Sequence, residues 1–157
     1  MSTEYYENNP LKRARTIADF QFGEGIGERL FPENVEFRFS STGRIRYILL
    51  GGNRLATLRA GDGRLTLSID GAERLMQAVP PPRYRVTIAD EVAGFVAAGK
   101  NAMAKHVTAA DPEIRVGEEV LVVSGDALCA TGTALLSGRE MLAFNYGVAV
   151  QIRKGRT

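Results

Sequence analysis

The chain has 157 residues, a formal net charge of +2, and a single cysteine beside a single histidine. That length holds one ordinary domain or two small ones and excludes a complete (β/α)8 barrel, which needs roughly 200 residues or more. The cysteine and histidine counts exclude a disulfide framework and any four-ligand Cys/His zinc site.

In chain order, the acidic, polar start MSTEYYENNP does not read as a secretory signal. No apolar run approaches the ~20 residues that span a bilayer, so a cytoplasmic, reducing location is expected. Leu11, Ala14, Ile17 and Ala18 share one helical face. This helix is expected to end near Phe22, where Gly23, Gly25 and Gly27 loosen the chain. Val35, Phe37 and Phe39 then alternate with Glu36, Arg38 and Ser40 as a half-buried strand. Ile45, Tyr47 and Leu49 alternate with Arg44 and Arg46 in a second strand. Glycine-containing turns at 51–53 and 61–63 lead into strands at 54–60 and 64–69. Asp70 reads as the cap of a helix whose Ala72, Leu75, Met76 and Val79 form one apolar stripe.

Pro80, Pro81 and Pro82 mark a boundary, because consecutive prolines force extended backbone. They divide the chain into an N-terminal domain, 1–82, and a C-terminal domain, 83–157. Beyond them, 85–88 reads as a strand and Asp90 as the N-cap of a helix with Val92, Phe95 and Val96 on one face. Gly99 stands where a left-handed cap belongs. Extended segments are expected at 103–107, 119–123 and 128–136, and Ser137 to Glu140 fits a capping box for a helix at 138–143. Asn145-Tyr146-Gly147 turns into a last strand in which Val148, Val150 and Ile152 alternate with Ala149, Gln151 and Arg153. The class is α+β: an antiparallel sheet with covering helices, then a more barrel-like β domain with short helices.

Charge is informative in its distribution. Between Glu36 and Arg64 six arginines face two acids, a local net charge of +4 with no lysine. Arginine's planar fork suits phosphate oxygens, so Arg44 and Arg46 are candidate RNA contacts, although a solvated strand face explains them equally well. His106 lacks a partner in sequence that would orient a general base, and Cys129 lies in an apolar strand as an inert thiol. Gly23 to Glu28 is not a nucleotide loop: the spacing is wrong, no strand precedes it, and its two glutamates repel phosphate.

RVTIADEVAGFVAAGKNAMAKHV, DPEIRVGEEVLVV and CATGTALLSGREMLAFNYGVAVQIR follow one another over residues 83–157. This order resembles a PUA domain, the RNA-binding fold named after pseudouridine synthases and archaeosine transglycosylases. IADFQFG, SSTGRIR and LATLRAGDGRLTLSIDGAERL resemble the segment preceding the PUA domain in archaeosine tRNA-guanine transglycosylases. The resemblance implies a PUA pseudo-barrel, an archaeal source, and an RNA surface at Gly99, Lys100, Asn101, Ala102, Lys105, Val150, Gln151 and Arg153. Gly99 also reads as a plain helix cap and Lys100 as a solvated end charge. The catalytic barrel of those enzymes has no room in 157 residues. The expectation is therefore a non-catalytic protein for structured RNA, chiefly the acceptor stem and CCA end of tRNA, as a stand-alone module or split subunit. Expected partners are RNA and a separate modification enzyme; no membrane, cofactor or metal is expected. The competing readings are a protein-interaction or ribosome-associated scaffold, and an enzyme subunit with a cleft lined by Asp19, Glu24 or His106.

Overall fold

A computed structural model describes residues 9–157; the acidic start read above lies mostly outside them. The described chain forms two compact units, the first ending at Ala78 and the second spanning Val79–Thr157.

Among the described residues the first unit begins with α1 (Pro10–Phe22). Proline at the first helical position and the Asn9 side chain, which accepts from the Lys12 N–H, start it. Ala14, Ala18 and Phe22 are its buried stripe. A second helix, α2 (Ile26–Leu30), stands where only a loosened loop is expected. Its own N-cap is glycine, but the Asp19 carboxylate of α1 accepts from the Gly27 N–H at 2.7 Å and supplies the missing cap. Small size also explains Gly27, since a Cβ there would sit 2.2 Å from the Arg15 carbonyl oxygen.

The sheet follows as β1 (Glu36–Phe39), β2 (Ile45–Leu50), β3 (Asn53–Leu58) and β4 (Leu65–Leu67), antiparallel in that order. Gln21 pairs both amide atoms with the Leu65 backbone at 2.8 and 2.7 Å, which satisfies edge groups of β4. Helix α3 (Ile69–Ala78) buries Ala72 and Leu75. Asp70 is not its cap: the Ser68 hydroxyl accepts from the Gly71 N–H at 3.1 Å, leaving Asp70 in the first turn.

The second unit contains β5 (Arg85–Ile88), α4 (Ala93–Ala97), β6 (Ala102–Met103), β7 (Val107–Ala110), β8 (Glu119–Ser124), β9 (Ala127–Ala134), α5 (Gly138–Ala143) and β10 (Val148–Gly155). The strand order is β6-β10-β9-β8-β5-β7, with β5 parallel to β8 and every other pair antiparallel. A 3-10 turn at Ala104–His106 joins the two edge strands, so the sheet curls into a nearly closed barrel. That turn also breaks the single extended segment expected over 103–107. Val86, Val96, Val120, Val122, Met141 and Val150 share the core.

Two helix starts differ here. Ser137 and Glu140 form both bonds of the capping box as expected. Asp90 caps nothing; it accepts from the Ser124 hydroxyl at 2.5 Å, and a 3-10 turn at Asp90–Val92 precedes α4. Phe95 also leaves the expected buried face of α4 and is 65% exposed.

Candidate nucleic-acid interface

The loop after α4 is built by its glycine. Gly99 has φ +107°, a region strained for any residue with a Cβ. The Gly99 N–H bonds the Val96 carbonyl at 2.9 Å, and the Lys100 N–H bonds the Phe95 carbonyl at 3.0 Å. This is the Schellman pattern, and it ends the helix with Lys100 turned out into solvent. Asn101 then anchors the loop to β10, its side-chain oxygen accepting from the Ile152 N–H at 2.9 Å.

Beside this loop lies an open pocket of about 260 Å³, lined by Ile88, Val92, Phe95, Val96, Asn101, Ala102, Met103 and His106. Its lining is apolar apart from Asn101 and His106, and contains no carboxylate. Lys100 and Lys105, each next in sequence to a lining residue, are both exposed. The structure thus gathers an exposed ring, an apolar floor and an imidazole in one pocket, with two exposed lysines next in sequence to its lining.

The remaining expected contacts separate. Gln151 is exposed on β10. Ala102 and Val150 are buried and pair with each other across β6 and β10, so their side chains belong to the core. Arg153 turns to the buried Glu119 carboxylate, with one contact of 2.7 Å between Nη1 and Oε1. Arg156 donates from Nε to the Leu128 carbonyl at 2.6 Å, and Lys154, between these two arginines in sequence, is exposed.

In the first unit Arg44 and Arg46 are exposed. The β1–β2 register shifts between Arg38 and Phe39, and Arg46 is the extra residue. Such a bulge re-aims a side chain, and here the Arg46 Nε donates to the Tyr47 hydroxyl at 3.2 Å. The Arg46 and Arg54 guanidiniums lie 5.5 and 4.4 Å from the Tyr47 ring centroid. The hydrogen bond from Arg46, and its charge, hold the Tyr47 phenol below its ordinary pKa. Arg38 and Arg59 instead meet Glu36 and Asp62, both at 3.7 Å.

Residues 12–82 match the family model described as patch-forming domain C2 of tRNA-guanine transglycosylase, and residues 84–156 match the PUA domain model. The chain is a C2 domain followed by a PUA domain. It is 47% identical over 148 residues to the tRNA-guanine(15) transglycosylase of Pyrococcus abyssi, covering 94% of this chain and 25% of that protein. The Methanothermobacter thermautotrophicus enzyme is 44% identical over 147 residues, covering 92% and 22%. The chain therefore spans about a quarter of the length of these relatives, and the region it matches is their non-catalytic C-terminal part. Two solved structures share the fold over 99% of this chain. They are hypothetical protein PH0734.1 of Pyrococcus horikoshii (TM-score 0.73, 21% identity, 92% of that chain) and a PUA domain protein of Thermoplasma acidophilum (0.64, 19%, 91%).

Three candidate residues of these domains escape sequence reading. Phe95 of the PUA domain shares helical spacing with Val92 and Val96, but Val92 lies in the 3-10 turn before α4, and Phe95 is exposed while Val96 is buried. Tyr47 and Arg54 of the C2 domain are joined by cross-strand geometry that no spacing reveals. Asp19 and Glu24 form no cleft site: Asp19 caps α2, and Glu24 is exposed. Cys129 is buried, and that burial pushes its thiol pKa up, away from the reactive thiolate. Among the described residues no group of three His, Cys, Asp or Glu side chains could hold a metal ion, and no helix is long and apolar enough to cross a membrane.

Proposed function

We propose that this chain binds tRNA at its acceptor stem and unpaired 3′ CCA end, holding it for a modification whose chemistry is done by residues outside these 157. The observation that carries this reading is the apolar pocket rimmed by the exposed Phe95 ring and flanked by Lys100 and Lys105. Unpaired bases stack on exposed aromatic rings, while lysines neutralise the backbone they hang from. Gly99 and Asn101 keep the loop low and fixed, so a phosphate can come close to its backbone. The 47% identity to an enzyme named for tRNA supports the choice of RNA. Gln151 extends this surface along β10, and the C2 arginines Arg44, Arg46 and Arg54 supply a second set of phosphate contacts.

The test is fluorescence-anisotropy binding at two salt concentrations. The competitors are intact tRNA, tRNA without its CCA end, and duplex DNA of matched charge. Intact tRNA is expected to compete best. Lys100→Glu with Lys105→Glu is expected to weaken binding and to flatten the slope of log K against log salt by roughly 1.5 to 2, as two phosphate contacts are lost. Equal, weak competition by all three nucleic acids overturns the proposal.

A further inference from the structure

The stretch from the end of α5 to the start of β10 exposes every residue from 142 to 147, and three of the six are large and apolar. Leu142 is 54% exposed, Phe144 36% and Tyr146 71%. The Phe144 and Tyr146 rings lie parallel within 8°, their centroids 5.8 Å apart. A folded domain rarely leaves such a patch bare unless something covers it in use.

Both ends of the segment are pinned. The Phe144 N–H bonds the Glu140 carbonyl at 2.9 Å, closing α5, and the Gly147 carbonyl accepts from the Ala104 N–H at 2.9 Å. The backbone on either side of Tyr146 is thus bonded into the fold, which lowers the entropic cost of ordering this segment on binding.

Register and charge select the occupant. Val148 pairs with Met103, and the Ala104 to Gly147 bond extends that ladder one step. That bond sets the backbone next to Tyr146 against the backbone next to Lys105, which lies between the pocket-lining Met103 and His106. The segment Leu-Ala-Phe-Asn-Tyr-Gly contains no acid. An aromatic face, a neighbouring ammonium, an amide and no carboxylate together suit a nucleotide, whose base stacks and whose phosphate meets the lysine.

We propose that the Phe144–Tyr146 pair is a stacking platform for an unpaired nucleotide of the bound RNA, with a base on the outer face of Tyr146 and its phosphate at Lys105. This rests on the tRNA-binding reading above and adds a second stacking position beside the Phe95 pocket.

The experiment measures affinity of the full chain and its variants for tRNA with an intact 3′ end and for the same tRNA trimmed to a blunt acceptor stem. Tyr146→Ala is expected to lose about five- to thirtyfold on intact tRNA, with an unchanged salt slope because no charge is removed. Tyr146→Phe is expected to bind within about twofold of the unaltered chain, as stacking survives loss of the hydroxyl. On trimmed tRNA all three bind alike. A Tyr146→Ala variant that matches the unaltered chain on intact tRNA, while Lys100→Glu weakens binding, overturns the platform and leaves the tRNA reading standing. Failure of the unaltered chain itself to bind tRNA overturns both. Equal loss on intact and trimmed tRNA also overturns the platform, because the base it holds is then not an unpaired one of the 3′ end.

Discussion

Arg153 and Lys100 are both cations at the edge of the barrel, yet they do different work. Arg153 faces Glu119, whose side chain is 3% exposed and also accepts from the Thr131 hydroxyl at 3.2 Å. Removing the guanidinium leaves a buried carboxylate without its counter-charge. Arg153→Ala is therefore expected to cost about 3 kcal/mol of stability in urea denaturation, whereas Lys100→Glu leaves stability nearly unchanged. Sequence shows both charges and neither role, because a strand-end arginine reads the same whether it meets phosphate or a carboxylate across the sheet.

Asp111 is the other buried charge with a measurable signature. Burial alone would raise its pKa, but the Tyr84 and Glu113 N–H groups and the Arg83 guanidinium outweigh that and hold it below the ordinary value. A carboxylate depressed by folding stabilises the folded state above its unfolded pKa of about 3.9 and loses that contribution as pH falls through the folded value. Stability measured by denaturant is expected to begin falling near pH 5 and to keep falling below pH 4. In Asp111→Asn this acid-side decline is shallower, and stability at neutral pH is lower.

At the scale of elements, most strands and the longer helices were legible because apolar periodicity reports them directly. The four strands of the C2 sheet, the helix ending at Phe22 and the capping box at Ser137 all follow from spacing and cap chemistry. What escaped reading depends on long-range partners. Helix α2 is only five residues long and borrows its cap from Asp19 across a turn; three glycines disguise it as a loop. Gly27 lets α2 lie against the backbone of α1, so a methyl group at that position meets the Arg15 carbonyl. Gly27→Ala gains helix propensity but forces the helices apart, and a net loss of about 1–3 kcal/mol is expected in thermal or urea unfolding. The pocket was legible in part. The GKN loop announces itself through Gly99, but Phe95 reads only as one member of the helix face it shares with Val92 and Val96, with nothing to mark it as exposed. The aromatic pair at 144–146 lay inside what read as a plain turn.

At the scale of the whole molecule, a net charge of +2 gives little general attraction to nucleic acid. In the tRNA-binding reading proposed above, affinity comes from where the cations stand: lysines next to the PUA pocket, and arginines gathered on one tyrosine of the C2 sheet. The break between the two compact units falls after Ala78, just before the triple proline that is legible in the sequence. The parallel β5–β8 pair was not legible, because strand direction across a barrel leaves no local pattern.

Strand β10 is the last strand of the PUA barrel in chain order, yet it lies inside the sheet, between β6 and β9. During synthesis β6 waits without a neighbour until residues 148–155 have emerged. The Asn101 anchor waits as well, because its partner is the Ile152 N–H. A nascent chain can complete the C2 sheet early, but the loop at Gly99–Asn101 lacks its tie to β10 until that strand has been made.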